Sequence, residues 1–225
     1  MEAQTTPEVA PLDLAFGVRG AAPVRYAAVP TLGFELEIST QSAYAIQSVN
    51  LQVQIQIASR RRSYAEGEQA QLEELFGEPH RWSDTLSTLL WLRTTQVVPA
   101  FTGATVVELQ VPCTYDFDVS ASKYLAALRD GEVPLELLFG GTVFYRGEGG
   151  LLQTAMIGWD READYRMPVS VWRDAMDMYF PGSAWLRLQR ETFDRLHAYR
   201  AQNALTSWEE TVGRLLDAGE TSGEG

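Results

Sequence analysis

An alternating stretch from Val107 to Val119 constrains the fold of this chain more than any other part of the sequence. Its odd positions are apolar and its even positions are mostly polar. Alternation of this length predicts a strand with one buried face and one wet face. Pro112 lies on the polar side, and because proline cannot donate to a β ladder, it predicts an edge position, a bulge or a bend. The stretch is therefore one long amphipathic strand, or two strands that meet at a corner.

Other segments alternate in the same way. Residues 12–18, 32–39 and 49–57 each have a single apolar face, which favours an antiparallel sheet over a parallel sheet that is buried on both faces. Residues 135–145 predict a further strand, in which two consecutive glycines indicate a bulge. A glycine-rich turn then leads into a strand over residues 151–157.

Helical patterns interrupt the strands and then follow them. Residues 65–83 predict a helical insertion, and Ser120 predicts the N-cap of a short helix between two strands. Pro168 opens the first of three C-terminal helices. Ser207 begins a capping box for the last of them, which we expect to end at Leu216.

This order predicts an α+β fold: a twisted antiparallel β-sheet or β-sandwich with a helical insertion and C-terminal helices packed on it. We expect one domain over residues 11–217, with a β-rich core over 11–165 and a helical cap over 168–217. Residues 1–10 and 218–225 are expected to form flexible tails.

The composition argues against a nucleic-acid partner, an internal disulfide and membrane insertion. The formal net charge of -12 argues against a nucleic-acid partner, which requires a basic surface. A single cysteine cannot form an internal disulfide. Neither a signal-peptide pattern nor a run of about 18 apolar residues is present, so we expect no membrane insertion and a cytoplasmic location.

The sequence gives little support to a catalytic cysteine or to a zinc site. Cys113 is the one cysteine, and His80 and His197 are the only histidines. Because Cys113 lies on the apolar side of the alternating stretch, we predict a small core residue rather than an accessible, reactive thiol. One cysteine and two distant histidines supply neither the number nor the spacing of zinc ligands. We expect no metal and no cofactor.

Two patterns keep a hydrolase open as an alternative. Ser120 and Lys123 match the S-x-x-K pattern of serine acyl enzymes, although the companion motifs of that class are absent. Asp116 and Asp118 lie on one side of the alternating stretch, as a carboxylate pair for hydrolysis or Ca²⁺ binding does. A helix N-cap and an ordinary wet strand face explain the same residues, and we therefore predict that the protein is not an enzyme.

The C-terminal segment is rich in tryptophan, tyrosine and arginine. These residue types are the usual anchors of protein interfaces, although core packing also explains the aromatic ones. The candidate interface residues are Trp172, Tyr179, Trp185, Arg187, Arg190 and Tyr199.

Several segments together resemble an uncharacterised bacterial family of about this length. They are LFGEP at 75–79, FTGAT at 101–105, VPCTYD at 111–116, GEVPL at 131–135 and MPVSVW at 167–172. Members of that family occur in actinobacteria near genes of high-affinity uptake nickel–iron hydrogenases. The resemblance implies an accessory or assembly role, and it transfers no catalytic residue because none is established in the family.

We therefore predict a non-catalytic, protein-binding accessory or assembly factor that supports an uptake nickel–iron hydrogenase complex. Its expected partners are hydrogenase subunits or maturation proteins, and a homo-oligomer stays open. One alternative is a chaperone-like binder of unfolded chains, which requires a large exposed apolar groove. The other is the hydrolase that uses Ser120 with Lys123, or Asp116 with Asp118.

Overall fold

The computed structural model describes residues 12–113, 119–182 and 188–222, and these residues form eight strands and six α-helices. The strands are β1 (Leu14–Pro23), β2 (Thr31–Thr40), β3 (Ile46–Ile57), β4 (Leu89–Val98), β5 (Ala104–Pro112), β6 (Glu132–Arg146), β7 (Leu152–Met156) and β8 (Glu162–Pro168). The helices are α1 (Glu66–Phe76), α2 (Trp82–Thr85), α3 (Val119–Ala127), α4 (Val169–Tyr179), α5 (Arg190–Gln202) and α6 (Trp208–Ser222). The chain divides into two compact units, Met1–Pro181 and Gly182–Gly225. The single domain predicted for residues 11–217 stays a prediction.

The strands of the first unit form two antiparallel sheets. The smaller sheet has the order β1-β2-β5. In the larger sheet, β4 pairs with β3 and β3 with β6. The long strand β6 has two successive partners on its other side: β8 pairs with its first half and β7 with its second half. The predicted α+β class with antiparallel sheets is confirmed.

The two sheets pack face to face through their apolar sides, as the alternation predicts. Phe16 of β1 stacks on Phe139 of β6 with ring centroids 4.1 Å apart. Phe34 of β2 makes edge contacts with Trp91 of β4 and Tyr165 of β8. The fully buried side chains of the two central strands line this core: Leu32, Phe34, Leu36 and Ile38 from β2, with Val49, Leu51, Ile55 and Ile57 from β3.

The predicted alternating stretch is confirmed only in part. Val107, Leu109 and Val111 of β5 are buried, and Pro112 ends this strand at the edge of the smaller sheet. Val119, however, begins α3, so the strand does not extend that far. Residues 114–118 lie outside the described part of the chain. Ser120 is the second residue of α3 and not the predicted N-cap.

The predicted bulge at Gly140 and Gly141 is wrong. Both glycines continue the register of β6 with β3, opposite Gln52 and Leu51. Gly141 has a φ of +123°, and a Cβ atom there would lie 2.0 Å from the carbonyl oxygen of Asn50. The glycine therefore permits the close approach of two backbones at the point where the neighbour of β6 changes.

A buried ion pair fixes α1 to the loop before β6. The Arg62 guanidinium lies 2.7 Å from the Glu68 carboxylate, and the exposed fractions of these side chains are 9% and 3%. The same carboxylate accepts hydrogen bonds from the backbone N–H groups of Ala65 and Arg129, at 3.1 and 2.9 Å. Arg62 also donates to the carbonyl oxygen of Glu132. One carboxylate thus binds three separate chain positions, Arg62, Ala65 and Arg129.

The second unit contains α5 and α6. The predicted capping box is confirmed in part: the Glu210 N–H donates to the hydroxyl of the N-cap Ser207, but the Glu210 carboxylate accepts from the N–H of Thr206, one residue before the N-cap. Helix α6 ends at Ser222 and not at the predicted Leu216, so the start of the predicted tail is helical. No helix in the described ranges is long and apolar enough to cross a membrane.

Candidate functional site

Cys113 follows β5 directly and is half-buried. Its thiol lies 3.6 Å from the Val111 carbonyl oxygen, to which it donates. Burial raises the pKa of the thiol to about 12. His80 lies beside Glu78, 3.4 Å from its carboxylate. A thiol with this pKa is almost entirely protonated at neutral pH, so Cys113 is a poor nucleophile.

We expect the native protein to react with iodoacetamide at pH 8 about a thousandfold more slowly than an unperturbed cysteine, because only the thiolate reacts. The single cysteine allows the rate to be followed by mass spectrometry of the intact chain. The same protein in denaturant is the control and should be alkylated at the ordinary rate. Equal rates in both conditions would contradict the burial of this thiol.

Of the four hydrolase candidates, the structure describes Ser120 and Lys123, which both lie on α3. Ser120 is exposed on α3, and the Lys123 ammonium group forms an ion pair with the Glu74 carboxylate of α1. Asp116 and Asp118 lie outside the described residues. Among the residues that are described, no three His, Cys, Asp or Glu side chains group as metal ligands.

The predicted interface residues are placed in different environments. Trp172 is partly buried against the core of the first unit, and the Tyr179 hydroxyl donates to the backbone carbonyls of Val24 and Ala27. In the second unit, Tyr199 is half-buried, whereas Arg190 is exposed and lies 3.6 Å from Asp194. Trp185 and Arg187 lie outside the described residues. The interface role of these six residues stays a prediction.

The outward face of the larger sheet has a shallow depression of about 460 Å³. It forms where Gly140 contributes no side chain, and most of the other side chains that line it are polar, among them Gln52, Gln54, Arg93 and Thr95. A binder of unfolded chains needs an extended apolar surface instead. The depression therefore gives the chaperone-like alternative no support.

Strand β7 differs from the other outer strands of the two sheets. Natural edge strands usually carry charges that prevent pairing with another chain. The other outer strands carry such charges: Arg19 on β1, Arg93 on β4, Glu108 on β5 and Glu162 on β8. Within the described strands, β7 alone among these edges has no charged residue, and it pairs only with β6.

The surroundings of β7 are apolar as well as uncharged. Leu152 and Met156 point to the same side of the strand, with exposed fractions of 63% and 73%. Leu151 precedes the strand, and Trp159, which follows it, is 95% exposed. We call these four side chains and the outer backbone of the strand the β7 edge.

The sequence contains only part of the signal for the β7 edge. The strand itself is predicted by its residues, and the absence of charge from Leu151 to Ile157 is visible. Its position at an edge depends on which strands pair with β6, and that pairing is not encoded locally. For this reason, the aromatic C-terminal residues were the stronger candidates in the sequence.

Comparisons with other proteins identify a family but no activity. A model of a family of unknown function, DUF6084, matches residues 11–224. No curated protein matches the chain. Among solved structures, a Bordetella pertussis protein assigned as ApaA is 13% identical, with 71% of this chain and 95% of that chain covered and a TM-score of 0.28.

Two further structures resemble this chain to a similar degree. A protein assigned to the late embryogenesis abundant class is 11% identical over 69% of this chain and 71% of its own, with a TM-score of 0.30. A β-glucosidase from Kluyveromyces marxianus is 6% identical over 69% of this chain and 15% of its own, with a TM-score of 0.24. TM-scores this low support no conclusion about activity.

Proposed function

This chain belongs to DUF6084, a family of unknown function, and on that premise we propose that it is a non-catalytic accessory protein that binds an extended segment of a partner protein at the β7 edge. The observation that carries the proposal is the uncharged outer strand with its exposed leucine and methionine. An incoming strand would hydrogen-bond to the outer backbone of β7, which is a common mode of peptide recognition.

The side chains around β7 support this mode of binding. Leu152 and Met156 lie on one side of the strand, so they would contact alternate residues of the incoming segment. Methionine adapts to apolar surfaces of different shape, and tryptophan is a frequent interface anchor. Trp159, just beyond the strand, would then cover one end of the added segment.

The partner that we propose is an uptake nickel–iron hydrogenase subunit or one of its maturation proteins. This part of the proposal comes from the family resemblance of the sequence, and the β7 edge supplies only the surface. An assembly factor must hold its client and later release it, and binding at one short strand edge is suited to such exchange. The protein would act in the cytoplasm.

We expect Leu152→Lys and Met156→Lys each to reduce partner capture roughly tenfold, because a charge on an edge strand opposes strand addition and an apolar contact is lost. The measurement is quantitative mass spectrometry of the proteins that co-purify with the tagged chain from its native cell. Thermal stability should stay at the wild-type value, because both side chains are largely exposed.

Val97→Lys is the matched control. Val97 lies on β4, at the opposite edge of the same sheet, and is 70% exposed. This variant should capture the partner as the wild type does. If Leu152→Lys and Met156→Lys captured as much partner as Val97→Lys does, binding at the β7 edge would be contradicted. Loss of capture without any hydrogenase protein among the affected chains would retain the binding mode and reject the hydrogenase partner.

A further inference from the structure

Helix α6 has an apolar stripe that its neighbour α5 covers only in part. Trp208, Val212, Leu215 and Leu216 follow the spacing of one helix face. All four side chains are exposed, Leu216 most of all at 63%. We call these four residues the α6 stripe.

The aromatic contacts between α5 and α6 involve Trp208, the first residue of this stripe. Thr211 is fully buried, and its hydroxyl donates to the Ser207 carbonyl oxygen. Trp208 packs on Phe193 at 5.4 Å and lies under the Arg200 guanidinium at 4.1 Å. No residue of α5 is buried. Two helices alone therefore leave the far side of the stripe in contact with water.

Negative charge borders the exposed side of the stripe. At about 100° per residue, Glu209 and Glu220 follow Leu216 around the helix, three turns apart. Both glutamates are exposed. An apolar stripe with an acidic flank is complementary to an amphipathic helix that carries Lys or Arg beside its own apolar face.

The same charges argue against two other occupants. An anionic membrane surface would repel Glu209 and Glu220, whereas membrane-surface helices carry Lys and Arg at those positions. If the α6 helices of two copies of the protein packed together, an antiparallel pair would place Glu209 of one copy near Glu220 of the other. A parallel pair would place each glutamate near the same glutamate of the other copy. Both arrangements place like charges together.

We propose that the α6 stripe is the docking face for a basic amphipathic helix of a partner protein. This surface lies in a different unit from the β7 edge, and the inference does not depend on the proposed function. The incoming helix would bury Val212, Leu215 and Leu216, and its cations would pair with Glu209 and Glu220.

The test uses the full-length protein and two synthetic helical peptides of about 18 residues, with the same leucine stripe flanked by lysine in one and by glutamate in the other. Fluorescence anisotropy should show the lysine peptide binding at least about tenfold more tightly than the glutamate peptide. Glu209→Lys combined with Glu220→Lys should reverse this preference. Leu216→Ser should weaken the lysine peptide about tenfold.

Val97→Ser is the matched control, because Val97 is exposed like Leu216, at 70% against 63%, but lies on β4 and belongs to neither proposed surface. It should bind the lysine peptide like the wild type. Equal binding of both peptides, or no effect of Leu216→Ser, would overturn the proposal. A dimer in light scattering that Leu216→Ser dissociates, or cosedimentation with phosphatidylserine vesicles that the same substitution abolishes, would assign the stripe to a different occupant and would also overturn it.

Discussion

Replacing Gly141 by alanine is expected to lower the free energy of unfolding by about 3–5 kcal/mol, because it adds backbone strain to a steric clash. The φ of +123° at Gly141 disfavours any residue with a Cβ atom. That atom would also lie 2.0 Å from the Asn50 carbonyl oxygen of β3, so two central strands would have to separate. Urea denaturation followed by circular dichroism measures the change.

Gly140→Ala is the control for this prediction. Gly140 precedes Gly141 in the same strand, but its φ is not positive and no atom lies within 4 Å of the position that a Cβ would take. We expect a change of less than about 1 kcal/mol, in either direction. Similar losses of stability in both variants would show that the clash at Asn50 is not the cause.

Removal of the buried carboxylate by Glu68→Ala is expected to cost about 3–5 kcal/mol, because it leaves the Arg62 guanidinium buried without its counter-charge. The backbone N–H groups of Ala65 and Arg129 also lose their acceptor. Glu74→Ala is the control, since Glu74 pairs with Lys123 at the surface. It should cost less than about 1 kcal/mol, and an equal cost for both would contradict the role given to Glu68.

The pH dependence of stability provides a second measurement on Glu68. Burial opposes ionisation of this carboxyl, but hydrogen bonds from Arg129 and Ala65 and the charge of Arg62 outweigh it and lower the pKa. A carboxyl with a lowered folded-state pKa stabilises the protein above its unfolded pKa of about 4.3, and this contribution is lost as the pH falls through the folded value. The stability difference between wild type and Glu68→Ala should therefore shrink on acidification below about pH 4.

Local sequence patterns were sufficient for most strands of the sandwich. Strands β2 and β3 bury every second residue, so their alternation identifies both the strand and its inner face. Of the three alternatives that Pro112 left open, the edge position is the one found for β5. Strand β8 was not predicted, because Ala163 and Met167 are its only buried residues and the charged residues around them resemble a loop.

The features that depend on pairing between distant strands could not be predicted. Gly140 and Gly141 resemble a bulge in the sequence, yet only Gly141 is required, because it permits the close approach of β6 to β3. The interface prediction relied on residue type and included Tyr179, whose hydroxyl forms hydrogen bonds with the backbone carbonyl oxygens of Val24 and Ala27. The β7 edge has no aromatic residue within the strand, and only the pairing of β6 reveals that it is exposed.

The order of strands in the smaller sheet has a consequence for the folding reaction. Its third member, β5, reaches β2 only after the chain has passed through β3 and β4, which belong to the opposite sheet. Neither sheet can be completed from a continuous piece of chain, and closing such large loops costs entropy before distant contacts compensate for it. The sandwich therefore has a high contact order, and we expect it to form in one concerted and comparatively slow step rather than one sheet at a time.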